Sequence, residues 1–191
     1  MQLLAAPLMV RSAADVAADW QEVVMFLHDF SFRSPEVVLA EIMGGAVDGS
    51  MTGMTMNGVA PGTKAMSGMD MFGTASGTMD LSDFSFDAYL ANDRILSNHE
   101  AVRVENGGRV RLRIINGPAA TMFWIDTGGV AGRLVAVDGH DSQLVTGRRF
   151  GLAMAQRLDI ELDLPKGVQA FPVLALREGA REQAGLILAT T

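Results

Sequence analysis

Two short runs do most to fix what this chain can fold into. Arg109-Val110-Arg111-Leu112-Arg113-Ile114 and Asp159-Ile160-Glu161-Leu162-Asp163 each alternate charged and apolar residues. Successive side chains of a β-strand point to opposite faces, so each run separates into one apolar and one charged face. Val110, Leu112 and Ile114 share one face, as do Leu158, Ile160 and Leu162. The pattern predicts two antiparallel neighbours whose arginines face the acids across the ladder. Exposed pairs of this kind are worth only about 0.2–1 kcal/mol each, so they select register more than they stabilise. A slip of one residue would turn the aliphatic set toward water.

The rest of the chain repeats the theme. Apolar runs read as strands at Gln21–His28 (running on toward Phe32), Phe84–Leu90, Ala101–Glu105, Met122–Asp126, Arg133–Val137, Phe150–Ala153, Phe171–Arg177 and Leu186–Ala189, with an opening strand over Leu3–Val10. Gly107-Gly108, Asn116-Gly117-Pro118, Gly128-Gly129 and Asp138-Gly139 punctuate them. Short strands at such regular spacing predict an all-β sandwich or barrel. One short helix is expected from Ser34-Pro35-Glu36, a capping hydroxyl, a first-turn proline and an acid at the positive dipole end, closing near Met43 before Gly44-Gly45. Ser12–Asp19 reads as a polar, alanine-rich connection that forms one short helical turn.

Composition excludes several function classes. The 191 residues are enough to bury a core as one domain. A net charge of −7 argues against nucleic acid as a partner. No run of about eighteen apolar residues exists to cross a bilayer, so no membrane partner is expected. There is no cysteine, hence no disulfide, thiolate metal site or cysteine nucleophile. His28, His99 and His140 stand apart, and no serine lies in a nucleophile elbow. His28 is expected to be structural and bonded to backbone, His99 and His140 to be solvated. Asp126 and Asp138 suit turn-stabilising contacts. Trp124 reads as a core or interface aromatic, Trp20 as one packing at a domain junction, and Arg148-Arg149 as an exposed turn pair.

Residues 44–80 break the pattern. They are rich in Gly, Met, Ser and Thr, lack periodicity, and cannot bury enough apolar surface to offset their ordering entropy. A connection this long is functional or disordered. Within it Met51-Thr52-Gly53-Met54-Thr55-Met56 and Met66-Ser67-Gly68-Met69-Asp70-Met71 repeat one pattern, Met-x-Gly-Met-x-Met. Thioethers are soft and suit Cu(I) or Ag(I). Met51, Met54, Met56, Met66, Met69 and Met71 are therefore candidate Cu(I) ligands. A solvated low-complexity linker, or adaptable apolar filler with Phe72, are the plainer readings.

Four motifs in order carry a resemblance. Phe86-Asp87-Ala88-Tyr89-Leu90-Ala91-Asn92-Asp93-Arg94, Gly108 to Asn116, Val135-Ala136-Val137-Asp138-Gly139 and Ala155-Gln156-Arg157-Leu158-Asp159-Ile160 resemble the middle domain of the multicopper oxidases. The similarity covers most of residues 20–190. It implies a Greek-key cupredoxin-like β-sandwich with one short helix and a long Met/Gly-rich insertion. Residues 1–10 would be the remnant of a preceding domain's last strand and 11–191 the cupredoxin-like domain, with 44–80 as its flexible insertion. The resemblance further implies a periplasmic or secreted protein whose full length oxidises phenols or metal ions with copper. The His-x-His pairs and His-Cys-His run of such enzymes are missing, so the chain alone is expected to be inactive, holding copper-bearing flanking domains in position. Those domains are its expected partners; without them, bared docking surface would favour self-association. Methionine-rich inserts of some copper-tolerance members support the Cu(I) reading. A stand-alone periplasmic metallochaperone-like module and a plain immunoglobulin-like interaction domain remain alternatives.

Overall fold

A computed structural model describes residues 3, 5–45, 85–118, 120–167 and 169–190, with the backbone alone at 41–45. The chain divides into two units, 1–32 with 81–191, and 33–80. In the second, the described element is helix α2 (Pro35–Gly45), whose Ser34 hydroxyl accepts the Val37 N–H at 3.4 Å. The predicted start is thus met. The helix runs to Gly45, past the end expected near Met43, so the first two residues of the expected 44–80 insertion belong to it, and residues 46–80 lie outside the described residues.

The first unit opens with α1 (Ala13–Ala17), followed by β1 (Gln21–Phe30), β2 (Ala88–Ala91), β3 (Glu100–Val104), β4 (Arg109–Asn116), β5 (Phe123–Asp126), β6 (Gly132–Val137), β7 (His140–Gly147), β8 (Arg149–Leu152), β9 (Arg157–Asp163), β10 (Ala170–Arg177) and β11 (Gln183–Thr190). One sheet runs β2-β1-β4-β9-β6-β7 and the other β3-β11-β10-β5-β8. The chain passes between them from β2 to β3, β3 to β4, β4 to β5, β5 to β6, β7 to β8, β8 to β9 and β9 to β10, the crossing pattern of a Greek-key sandwich. Two pairings are parallel, β1 with β4 and β3 with β11.

The alternation places the core. Val110, Leu112 and Ile114 meet Leu162, Ile160 and Leu158 in register, and all six are buried against Phe123, Ile125, Val173 and Leu186. Gly132 is required by this packing: a Cβ there would lie 2.6 Å from Ile160 Cγ2. Asn92 and Asp93 form the tight turn after β2 with φ of 49° and 62°, a left-handed pair that such residues tolerate best.

Three expectations need correction. Residues 5–10 form no strand, and Leu8 and Val10 are exposed. The chain between Asp138-Gly139 and Arg148 is a strand, β7, with His140 as its first residue rather than part of a turn. Its register on β6 shifts between Leu134 and Ala136, and Leu144 beside the irregularity is 71% exposed. Finally, the described residues hold two α-helices rather than one, because the short turn expected in Ser12–Asp19 is a helix, α1, started by a full capping box of Ser12 with Asp15.

Candidate functional site

The predicted ladder is present residue for residue. Arg109 faces Asp163, Arg111 faces Glu161 and Arg113 faces Asp159. The expectation of exposed pairs holds for Arg109 with Asp163 and is overturned for the other two rungs, which are roofed. Asp15 on α1 accepts from Arg111 Nη1 at 2.6 Å and lies 3.5 Å from Arg113 Nη2. Glu22 on β1 accepts from Arg113 Nε at 3.0 Å and Nη2 at 2.7 Å, and is also paired with Arg11. Arg133 on β6 reaches Asp163 at 2.5 Å and Glu161 at 3.4 Å. The Trp20 ring takes the Arg109 guanidinium 3.8 Å from its centroid, a cation–π contact inside this unit.

The field in this network sorts its carboxyls. Hydrogen bonds from the Ser12 backbone and hydroxyl, then Arg113 and Arg111, hold Asp15 below its ordinary pKa against a modest desolvation. Burial pushes Asp159 up, and Arg113 and Arg111 only partly reverse it. Asp15, Trp20, Glu22 and Arg133 were not read from sequence as members of the ladder. The usable signal was Ser12-x-x-Asp15, a capping box that fixes an acid on a short helix.

The other singled-out residues do not converge. His28 is buried, with its Nε2 unpartnered and its ring edge-on to Phe26 at 4.1 Å, so the expected backbone bond at that nitrogen is absent. Burial lowers its pKa, while Asp93 and Asp29 oppose the shift. His99 Nδ1 lies 3.0 Å from the Leu96 carbonyl, which makes it half-buried rather than solvated. His140 is exposed, as expected. Asp126 accepts from the Gly128 N–H at 2.8 Å, the turn contact expected, and Asp138 accepts from the Arg157 N–H at 2.9 Å. Arg149 opens β8 and donates to Asp126 at 2.8 Å instead of sitting in a turn. Trp124 is 43% exposed, so it is no core aromatic. Met51, Met54, Met56, Met66, Met69 and Met71 lie outside the described residues.

Among the described residues, no three of His, Asp and Glu are grouped as a metal site. A blue copper centre needs a thiolate with two imidazoles. The sequence has no cysteine, and its three histidines are on separate elements, so these residues do not fit that group.

No family model matches the chain. Among curated proteins, the multicopper oxidase MmcO of Mycobacterium tuberculosis is 32% identical over 111 residues, which are 58% of this chain. Solved structures superpose over most of it. Fet3p, a multicopper oxidase that functions in iron import, matches with a TM-score of 0.62 at 10% identity over 90% of the chain. The laccase-like multicopper oxidase CueO of Ochrobactrum sp. gives 0.57 at 15% identity over 91%, and a multicopper oxidase of Pseudomonas thermotolerans gives 0.55 at 18% over 89%. The fold is that of a multicopper-oxidase domain. The chain spans only 22% of the curated multicopper oxidase it matches, and 28–32% of these three structures.

Proposed function

We propose that this chain is the central, non-catalytic cupredoxin-like domain of a longer, exported laccase-like multicopper oxidase. In that protein copper oxidises phenols or metal ions and reduces O2 to water; flanking cupredoxin domains carry the copper and this one holds them in position. One observation carries the reading: the fold matches these oxidases while His28, His99 and His140 lie buried in β1, against the Leu96 carbonyl and exposed on β7, with no thiolate to join them. The Met-x-Gly-Met-x-Met repeats supply soft donors from which a capture arm would pass Cu(I) to the oxidising centre.

Two measurements test this. The open reading frame that encodes the chain should contain His-x-His pairs before it and a His-Cys-His run after it. A frame with neither returns the domain to a stand-alone copper-binding or interaction module. Competition for Cu(I) against a chromogenic chelator then compares the intact chain with one in which all six repeat methionines are leucine. Equal competition would reduce the arm to a linker.

A further inference from the structure

The outer face of the five-stranded sheet carries an unassigned site centred on Trp124. Phe123 and Ile125 of β5 point into the core and Trp124 points out. Its cross-strand partner on β8 is Gly151. A Cβ at Gly151 would sit 3.6–4.0 Å from Cζ3, Cη2 and Cε3 of the indole, so the six-membered ring rests against bare backbone. Cover for a sheet glycine is an adequate structural role for an aromatic. It does not account for the 43% of Trp124 that stays in solvent, or for what surrounds it.

Two shallow grooves of about 270 and 360 Å3 meet here, and both are lined by Trp124 and Glu178. The first adds Gln156 and the second Arg149 to the rim. Glu178 is anchored by its backbone N–H on the Met122 carbonyl at 3.1 Å. Gln156 Oε1 accepts the Ala153 N–H at 3.0 Å, which leaves the amide NH2 as the end that can donate outward. The Arg149 charge is matched by Asp126. The second groove is also lined by Arg177, which is buried and lies 3.5 Å from Glu182. The rim therefore offers one carboxylate acceptor, one amide donor and two compensated cations around an apolar platform. With a net charge of −7 behind it, this combination disfavours an anion and suits a ring with one apolar face and hydroxyls at its edge.

We propose that Trp124, Glu178 and Gln156 form a binding site for a neutral oligosaccharide. A pyranose ring stacks its C–H face on the indole, Glu178 accepts from its hydroxyls, and Gln156 donates to them. The two grooves let the sugar chain continue on both sides of the stacked ring. The reading is independent of the oxidase assignment, since it concerns only this face.

The test is an amide and indole correlation spectrum of the full 191-residue chain titrated with cellohexaose. The Trp124 indole N–H and the Gly151 and Glu178 amides should shift together and saturate with a dissociation constant of about 1 mM, while the Trp20 indole stays still. Trp124→Ala should abolish the shifts. Glu178→Gln and Gln156→Glu, which keeps an oxygen for the Ala153 N–H while removing the outward donor, should each weaken binding about three- to tenfold. Absence of shifts at about 10 mM sugar, or shifts that persist in Trp124→Ala, would overturn the proposal. So would peaks that move with protein concentration alone, which would assign the face to a second copy of the chain.

Discussion

Arg111 and Asp15 lie ninety-six residues apart in sequence, yet Nη1 of one donates to Oδ1 of the other over 2.6 Å. The contact fastens a five-residue helix, none of whose residues is buried, to the centre of a sheet. Polar contacts rather than apolar burial therefore hold α1. Asp15→Ala removes the ion pair and the carboxylate half of the capping box, leaving the Ser12 hydroxyl on the residue-15 N–H, and should cost about 1–2 kcal/mol in urea unfolding, with faster hydrogen exchange confined to residues 13–17. The pH dependence has a fixed sign. Asp15 is depressed below 3.8 in the fold, so its contribution is complete above that pH and is lost as pH falls through the lower folded value. Exchange in α1 that accelerates already near neutral pH would contradict this.

The ladder should be graded by burial. The Arg113 side chain is 11% exposed and serves Glu22 and Asp159, so Arg113→Met takes the ion-pair partner from the largely covered Asp159, leaves Glu22 to Arg11, and should cost about 2–4 kcal/mol. Arg109 is 48% exposed and 3.9 Å from Asp163, so Arg109→Met should cost less than about 1 kcal/mol. Equal losses by thermal unfolding would mean that the roof adds nothing.

Reversing one rung shows where strand-only reasoning stops. If Arg111 met only Glu161, the double variant Arg111→Glu with Glu161→Arg would be silent. Asp15 also faces residue 111, and Arg133 also faces residue 161, so the swap places like charges together on both sides. It should recover less than about half of the single-variant losses in a double-mutant cycle.

His28 gives the domain an acid-sensitive step. Burial lowers its pKa from 6.5, so the fold binds its proton less readily than the unfolded chain. Stability from this group is full above pH 6.5 and falls as pH drops below it, by at most about 1.4 kcal/mol per pH unit. His28→Leu should flatten the thermal midpoint between about pH 6.5 and 5 relative to the parent. An unchanged slope would assign the acid response elsewhere.

Asn116 ties the end of β4 to two loops. Its Nδ2 donates to the carbonyls of Thr121 at 3.0 Å, Ala153 at 2.8 Å and Leu152 at 3.4 Å. Asn116→Asp sets a carboxylate against three acceptors and should cost about 3 kcal/mol or more at neutral pH, with part regained in acid where the protonated group can donate. Calorimetry across pH decides it.

The sheets were legible wherever one face of a strand is buried and the other is not. Arg109–Ile114 and Asp159–Asp163 show their register because a period of two excludes odd slips and only one even register sets all three arginines opposite all three acids. β7 was not legible for the converse reason: His140, Asp141, Gln143, Leu144 and Val145 are all exposed, so no buried face imprinted alternation on the run. Leu3–Val10 was misleading, since its apolar residues pack into no sheet among the described ones. At the ladder, sequence alone found the six residues paired by neighbouring strands. It missed Asp15 and Trp20, which reach the face from a segment with no periodic signal. Trp124 read as a core or interface aromatic between Phe123 and Ile125, and its 43% exposure rules out the core alternative, as strand alternation already implies.

Phe30 closes β1 directly opposite Ala88 at the start of β2, and the Asp87 carboxylate takes the Ser31 hydroxyl at 2.7 Å and the Phe32 N–H at 2.9 Å. The polypeptide thus departs and re-enters through a single clasped doorway, as at the tip of a hairpin. Whatever length of chain is hung there can grow, shrink or be exchanged while every strand keeps its partner, because the added closure entropy rises only with the logarithm of length. The pairing of β1 with β2 is closed by residues 30–32 and 87–88 themselves, whatever the length of chain between them.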